Sequence, residues 1–239
     1  MPDGRSSYDD EAFCERYLGL RRSVGPLSDR LEHIALEAAL PAVEGACVLD
    51  LGCGAGALAS DLVRRRANHV VGVDASERLL DIAACRDDTV GWIRADMADL
   101  AFRPGSFHLV VSVLALHYLA DYEGTCRRVR SWLRPGGVFV LVVEHPIATA
   151  GRRERDGELG GWVIDAYADE GPRTVTWLGA PVSKHHRRLS TYVAGLTGAG
   201  FAVDVVDEPV PSPELLARWP DLDLDLRRPP FLLLRGVVA

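Results

Sequence analysis

Residues 48–56 read VLDLGCGAG. An apolar, strand-like run surrounds Asp50, and glycine then takes every second position, at Gly52, Gly54 and Gly56. Each of these glycines costs more backbone entropy on ordering than alanine would. Their clustering directly after a strand points to a place where the backbone must offer a bare surface.

Outward from this stretch the pattern alternates. Strand-like runs occur at 47–51, 69–73, 90–94, 107–114 and 137–143, with helix-like stretches at 56–66, 77–86 and 121–133 between most of them. The runs are continuously apolar, as in Leu109–Leu114 and Val138–Val143, which is expected of parallel strands covered on both faces. Alternating strand and helix predicts a doubly wound sheet. The turn Arg134-Pro135-Gly136-Gly137 feeds the fifth strand, with proline presetting the first turn position and glycine taking the positive φ. Upstream, residues 8–40 read as helical, with Asp29 and Glu32 marking a helix start and Pro41 ending the segment.

Residues 145–185 break the rhythm with a charged, glycine-bearing patch (Gly151 to Gly161) and the aromatics Trp162, Tyr167 and Trp177. They read as an insertion over the carboxyl edge of the sheet. A helix at about 187–198, a strand at 201–207 and a last strand at 231–238 follow, with a proline-rich excursion between the two strands. The absence of a long helix there predicts an antiparallel edge pair. The expected organisation is one α/β domain over 1–239, a doubly wound, Rossmann-like sheet of seven strands. It divides into a helical cap (1–46), a binding core (47–144), an insertion or lid (145–185) and a carboxyl-terminal helix with antiparallel strands (186–239).

The 239 residues suffice for one sizeable core, and a hydrophobic fraction of 48% argues against disorder. No apolar run approaches a membrane span, and Met1–Asp10 is polar, unlike a signal peptide. Lys and Arg number 27 against 34 Asp and Glu, a net charge of −7, which speaks against a nucleic-acid partner. The five cysteines, Cys14, Cys47, Cys53, Cys85 and Cys126, are scattered and show neither zinc-ligand spacing nor a disulfide framework. No metal is expected, and reduced thiols fit the cytoplasm.

In an open parallel sheet, ligands bind beyond the carboxyl ends of the strands, where strand order reverses. Gly52, Gly54 and Gly56 occupy that mouth. A dinucleotide fingerprint can be forced onto Gly52, Gly54 and Ala57. The alternate spacing behind Asp50 suits S-adenosylmethionine better, because that cofactor has no pyrophosphate to cradle. Asp74 ends the second strand, where a carboxylate can accept both ribose hydroxyls of either cofactor; it can also merely cap the helix that Ser76 opens. Asp96, in Ala95-Asp96-Met97 after the third strand, stands where it can accept from an adenine amine.

With these residues the chain resembles the class I S-adenosylmethionine-dependent methyltransferases, through VLDLGCGAG, VVGVDAS, RADM, VSVLALHYLADY and LRPGGVFVLVVEHPIATA. EHPIATA, SKHHR, GFAVDVVDEPVPS and RPPFLLL extend the likeness to a bacterial subgroup of small-molecule type. That subgroup usually has tyrosine where His185 stands and aspartate where His108 stands. The resemblance implies that Gly52, Gly54 and Gly56 face the adenosine and methionine parts, with Met97 beside Asp96 in the same cofactor set. Asp50 orients that loop and reaches towards the methionine ammonium, Asp74 takes the ribose and Asp96 the adenine amine. Tyr17 and Arg21, four apart on one helical face, either meet the cofactor carboxylate or form a solvated face.

Methyl transfer to an amine or hydroxyl also needs a proton acceptor, and histidine, with an unperturbed pKa of about 6.5, is the natural one. His117 after the fourth strand, His145 after the fifth and His186 beyond the insertion fit by position, since strands four and five are expected beside the first. Trp162, Tyr167 and Trp177 either form a lid over the acceptor or pack the insertion. The expected partner is a small-molecule acceptor, with a homodimer left open. Other functions remain: a protein of this fold that binds the cofactor but cyclises or regulates, an NAD-dependent dehydrogenase, or a nucleic-acid methylase. Asp96 and the final strand pair argue against the dehydrogenase. Ser112-Val113-Leu114-Ala115, standing where an N-P-P-Y type motif would lie, argues against amino-group methylation of DNA.

Overall fold

The computed structural model describes residues 6–23, 31–150 and 163–239. Asp29, Trp162 and the patch from Gly151 to Gly161 lie outside the described residues. A short 3-10 turn (Ser6–Asp9) leads into α1 (Glu11–Ser23). Asp10 caps α1, its carboxylate accepting the Phe13 N–H at 2.8 Å. Glu11 in the first turn and Arg21 and Arg22 in the last complement the helix dipole. Among the described residues, the predicted amino-terminal helical region holds two α-helices, α1 and α2 (Leu31–Ala39), the latter ending just before Pro41.

The core alternates as predicted: β1 (Cys47–Leu51), α3 (Ala57–Arg64), β2 (His69–Asp74), α4 (Glu77–Arg86), β3 (Gly91–Arg94), β4 (Phe107–Val113), α5 (Tyr122–Trp132) and β5 (Leu133–Glu144). There follow α6 (Pro146–Thr149), the strands β6 (Gly171–Trp177) and β7 (Ala180–His186), α7 (Leu189–Gly198), β8 (Phe201–Asp207), α8 (Pro213–Arg218), α9 (Asp223–Arg227) and β9 (Phe231–Val238). The excursion read as proline-rich therefore holds two short helices. Among the described residues, seven strands form one sheet in the order β3-β2-β1-β4-β5-β9-β8. The first five run parallel, and β9 pairs antiparallel with both β5 and β8. β4 lies directly beside β1 and β5 one strand further out, so only one of the two strands expected beside β1 touches it.

Alternation of side chains builds both layers. Leu49, Leu51, Val110, Phe139 and Leu141 pack with Tyr122, Cys126 and Val129 of α5 and Tyr192 and Leu196 of α7. Their sequence neighbours Val48, Leu109, Val111, Val138 and Val140 face Leu36 and Ala39 of α2 and Leu58 and Leu62 of α3. Burial of both faces is why these strands read as unbroken apolar runs. His108, at the position usually held by aspartate in the resembling subgroup, ties two strands: its Nδ1 accepts the Cys47 N–H at 3.1 Å.

β6 and β7 form a hairpin separate from the main sheet. Its two-residue loop, Leu178-Gly179, has φ of 50° and 75°, the left-handed pair that a tight hairpin of this hand requires. Arg16 of α1 donates from Nε to the Leu178 carbonyl at 2.6 Å, so the amino-terminal helix holds the hairpin tip. Among the described residues no helix is long and apolar enough to cross a membrane.

Candidate active site

The strand order reverses between β2 and β4, on either side of β1, and the glycine loop lies at that mouth. A cavity of about 590 Å³ opens there, within the range of small-molecule sites. A smaller one of about 280 Å³ shares Tyr17, Arg21, Gly52 and Gly54 with it and is also walled by Asp50. Gly52 (φ 84°) and Gly54 (φ 53°) both hold left-handed backbone that other residues adopt at a cost. The reasons for the glycines differ. A Cβ at Gly52 would come within 2.3 Å of the Ala115 Cβ, whereas one at Gly54 would meet only the Tyr17 hydroxyl, at 3.8 Å. Gly54 is therefore the bare surface turned to the cavity. Gly56 serves packing instead. A Cβ there would strike the Trp92 ring at 2.5 Å and Ala83 at 2.8 Å, and Gly56 lines neither cavity. The structure places Gly56 in internal packing at the start of α3.

Asp74 braces the loop. Its Oδ2 accepts the Gly54 N–H at 2.8 Å and its Oδ1 the Ser76 N–H at 2.9 Å. Helix α4 is capped by Ser76 itself, through its side chain and the Leu79 N–H. A carboxylate has about four acceptor sites, so Asp74 at the cavity wall keeps capacity for ligand hydroxyls. Burial raises its pKa even against those N–H bonds. Asp50 is only 2% exposed and its Oδ2 has no partner among the described residues. Burial and the neighbouring Asp74 push its pKa up to about 7. An orphaned buried carboxylate oxygen beside a bare loop fits a ligand carrying an ammonium.

The pKa of Asp50 carries a stability consequence. A carboxyl whose folded pKa exceeds its unfolded value binds more protons when folded, so stability falls as pH rises from about 4 to 7, by about 1.4 kcal/mol per unit at most. The ligand-free protein is expected to unfold more readily at pH 8 than at pH 5 through this group. Asp50→Asn is expected to flatten that slope, which denaturant titrations across the range will measure.

The far half of the cavity is made by segments distant in sequence. Tyr8 stands edge-on to Tyr17, Phe13 and Trp177, with centroids 5.2, 5.2 and 6.3 Å away, and its hydroxyl meets that of Tyr118 at 3.0 Å. Trp177 and Lys184 of the hairpin line the cavity, as do Trp219 and Phe231 from the carboxyl-terminal segment. Lys184 is 4% exposed. Its ammonium donates to Glu144 Oε1 at 2.5 Å and lies 5.0 Å from the Trp177 ring. His117 lines the cavity beside it and is 2% exposed, with its Nδ1 unpartnered among the described residues. Burial lowers its pKa to about 4, with Lys184 and Arg187 lowering it further against partial compensation by Glu144. It is neutral at pH 7. Leu114, at the end of β4, holds a φ of 56°, a strained backbone for a bulky residue and one that lines this same cavity.

Of the predicted cofactor residues, Tyr17, Arg21, Gly52, Gly54, Asp74 and Met97 line the larger cavity and Asp50 the smaller. Arg21 is ion-paired with the buried Glu32 at 2.7 Å. Asp96 stands next to Met97 but outside both cavity walls, its Oδ1 accepting the Ala98 N–H at 2.9 Å. Of the three histidines only His117 reaches the cavity. His145 accepts the Ile147 N–H on Nδ1 at 3.1 Å, capping α6, which leaves Nε2 to donate to Glu208 at 2.6 Å. Nε2 of the fully buried His186 donates to the Tyr167 carbonyl at 3.0 Å, and its Nδ1 lies 2.7 Å from the Thr149 hydroxyl. His145 and His186 do not line the larger cavity, and their ring nitrogens are taken up in joining segments. Tyr8, Glu32, Trp219 and Phe231, which also line the cavity, were not among the candidates. The aromatic and charged composition of their segments was the only available signal.

Comparison with known proteins agrees with this geometry. The family model described as a methyltransferase domain matches residues 49–141. The crystal structure of an S-adenosylmethionine-dependent methyltransferase from Mesorhizobium loti is 39% identical, covers 89% of this chain and 100% of its own, and superposes with a TM-score of 0.84. An uncharacterized protein of Haemophilus influenzae is 28% identical over 97% of this chain and 96% of its own length. A trans-aconitate 2-methyltransferase of Deinococcus radiodurans is 34% identical over 53% of this chain and 52% of its own.

Proposed function

The chain belongs to the S-adenosylmethionine-dependent methyltransferases, and from that premise we propose that it methylates a small-molecule acceptor held in the larger cavity. The single observation that carries this reading is the cavity itself, about 590 Å³, with the bare face of Gly54 on one side and His117 on another. The small-molecule acceptor of the Deinococcus radiodurans relative supports it. When bound, adenosylmethionine supplies a methyl group on a positively charged sulfur. In this reading Asp74 accepts the ribose hydroxyls, Met97 packs on the adenine, and the orphaned Oδ2 of Asp50 accepts from the ammonium of the methionine part. Tyr17 and the Arg21–Glu32 pair close the same end. Asp96 would reach the adenine amine from just behind Met97.

The chain's remaining work is to position the acceptor and shed water. Alignment of two reactants alone can contribute on the order of 7–11 kcal/mol. Trp177, Tyr8 and Tyr118 give the acceptor apolar walls, and the Arg16 bond to the hairpin tip keeps that wall closed. His117, neutral and with an unpartnered nitrogen, accepts a hydrogen bond from the acceptor's N–H or O–H. Incubating the protein with labelled cofactor and a pool of small metabolites tests the function: acceptor-dependent formation of adenosylhomocysteine is expected, and its complete absence with cofactor bound would defeat the reading. His117→Ala is expected to lower turnover by roughly a hundredfold, the low end for a positioned proton acceptor. Adenosylhomocysteine affinity should stay near wild type, as steady-state kinetics beside calorimetry will show.

A further inference from the structure

The larger cavity is lined, among the described residues, by five carboxylates and two cations, and both cations are already engaged. Arg21 is paired with Glu32 at 2.7 Å, and Lys184 with Glu144 at 2.5 Å. Asp74 braces the glycine loop. That leaves Asp221 and Asp225, both contributed by the segment between β8 and β9, as negative groups with no lining cation to answer them. Asp225 is half-buried, and burial raises its pKa even against Arg228, which is not part of the cavity wall.

The walls add a second, independent preference. Ring faces attract cations, and the cavity already shows it: the Lys184 ammonium lies 5.0 Å from the Trp177 ring centroid and 5.7 Å from that of Tyr118. His117, nine-tenths and more buried with an unpartnered Nδ1, is neutral here, so it adds an acceptor and no positive charge. Among the described residues, an anionic acceptor would find both lining cations committed and would lie against carboxylates that neither of them answers. A protonated amine would find carboxylates, ring faces and a hydrogen-bond acceptor together.

We propose that the acceptor is an organic amine with an aromatic or apolar body, recognised through Asp221, Asp225 and the aromatic wall of Tyr118 and Trp177. The proposal rests on the methyl-transfer reading above and names the acceptor class for that site. It concerns recognition of the amine and leaves the methylated atom to the product.

Three matched probes separate the classes: phenethylamine, phenethyl alcohol and hydrocinnamate, which share one body and differ in charge. Their affinities are measured by calorimetry at neutral pH on the full chain saturated with adenosylhomocysteine. Phenethylamine is expected to bind at least about tenfold more tightly than hydrocinnamate, a factor that corresponds to about 1.4 kcal/mol, with the alcohol between them. In the double variant Asp221→Asn/Asp225→Asn that preference is expected to shrink to about threefold or less, with adenosylhomocysteine affinity unchanged. Normal adenosylhomocysteine binding combined with equal or tighter hydrocinnamate binding overturns the amine assignment alone, as does binding of none of the three. A double variant that keeps the full preference overturns the role of the two aspartates. Failure of adenosylhomocysteine itself to bind overturns the methyl-transfer reading, and this proposal with it.

Discussion

Gly54→Val is expected to lower affinity for adenosylhomocysteine at least about a hundredfold while the protein stays folded. Two effects combine. The Gly54 φ of 53° is left-handed, and a β-branched residue there costs on the order of 1–3 kcal/mol, or else the loop moves. If the loop moves, the Gly54 N–H leaves Asp74, which it now meets at 2.8 Å. If it does not, the isopropyl group fills the space where only the Tyr17 hydroxyl lies within reach, at 3.8 Å. Either way the ligand loses its approach to the backbone, and a hundredfold loss needs only about 2.7 kcal/mol. Gly56→Ala is the contrast. Its methyl must displace the Trp92 ring or Ala83, which a Cβ would approach within 2.5 and 2.8 Å, so the damage should appear in the unfolding midpoint before it appears in affinity. Calorimetry and thermal unfolding on the two variants will separate the effects. Adenosylhomocysteine binding by Gly54→Val within threefold of wild type would place the cofactor elsewhere.

The second large effect is expected at Lys184. Its ammonium is nearly enclosed, with the Glu144 carboxylate at 2.5 Å and two aromatic faces around it. Lys184→Met keeps most of the side-chain volume but takes the ammonium away from Glu144, and breaking one partner of a buried pair costs roughly 3–5 kcal/mol. The side chain of Glu144 keeps 19% exposure, which lets water answer part of the lost charge and favours the lower figure. For a domain of this size each kcal/mol moves the midpoint by about 2–4 °C, so a drop of about 6–12 °C is expected in thermal unfolding. Lys184→Met/Glu144→Gln should recover most of it, because removing both charges leaves no buried ion unanswered. A single variant as stable as wild type would mean the pair is solvated and holds nothing in place.

Both effects bear on how the site could be read in advance. The placement of the glycine loop, Asp50 and Asp74 at one strand mouth was legible because it is set within a few residues. A strand that ends in glycines exposes backbone wherever it sits, and a carboxylate at the end of the next strand must lie beside it in a parallel pair. The histidines were not legible in this way. His117, His145 and His186 all follow strands or lie near their ends, and nothing local distinguishes the one with a free nitrogen from the two that are hydrogen-bonded. Glu208 claims His145 from 63 positions away, and Thr149 claims His186 from 37. Gly56 shows the same limit inside the motif itself, since its need for a bare surface comes from Trp92, a residue of another strand.

By itself, the sequence determined the alternating core, the antiparallel final strands and the strand mouth at which the glycine loop opens a cavity. Those features follow from backbone sterics and from side chains that alternate between two apolar layers, and both act between near neighbours along the chain. Tertiary structure alone decided which residues of the amino- and carboxyl-terminal segments join the insertion in closing the cavity, and what charge it carries. Tyr8, Trp177, Lys184, Asp225 and Phe231 meet only because the amino-terminal segment, the hairpin and the returning carboxyl-terminal segment fold over one edge of the sheet. The neutrality of His117 and the raised pKa of Asp50 are properties of that enclosure. Desolvation depends on everything packed around a group, and no local pattern of residues records it.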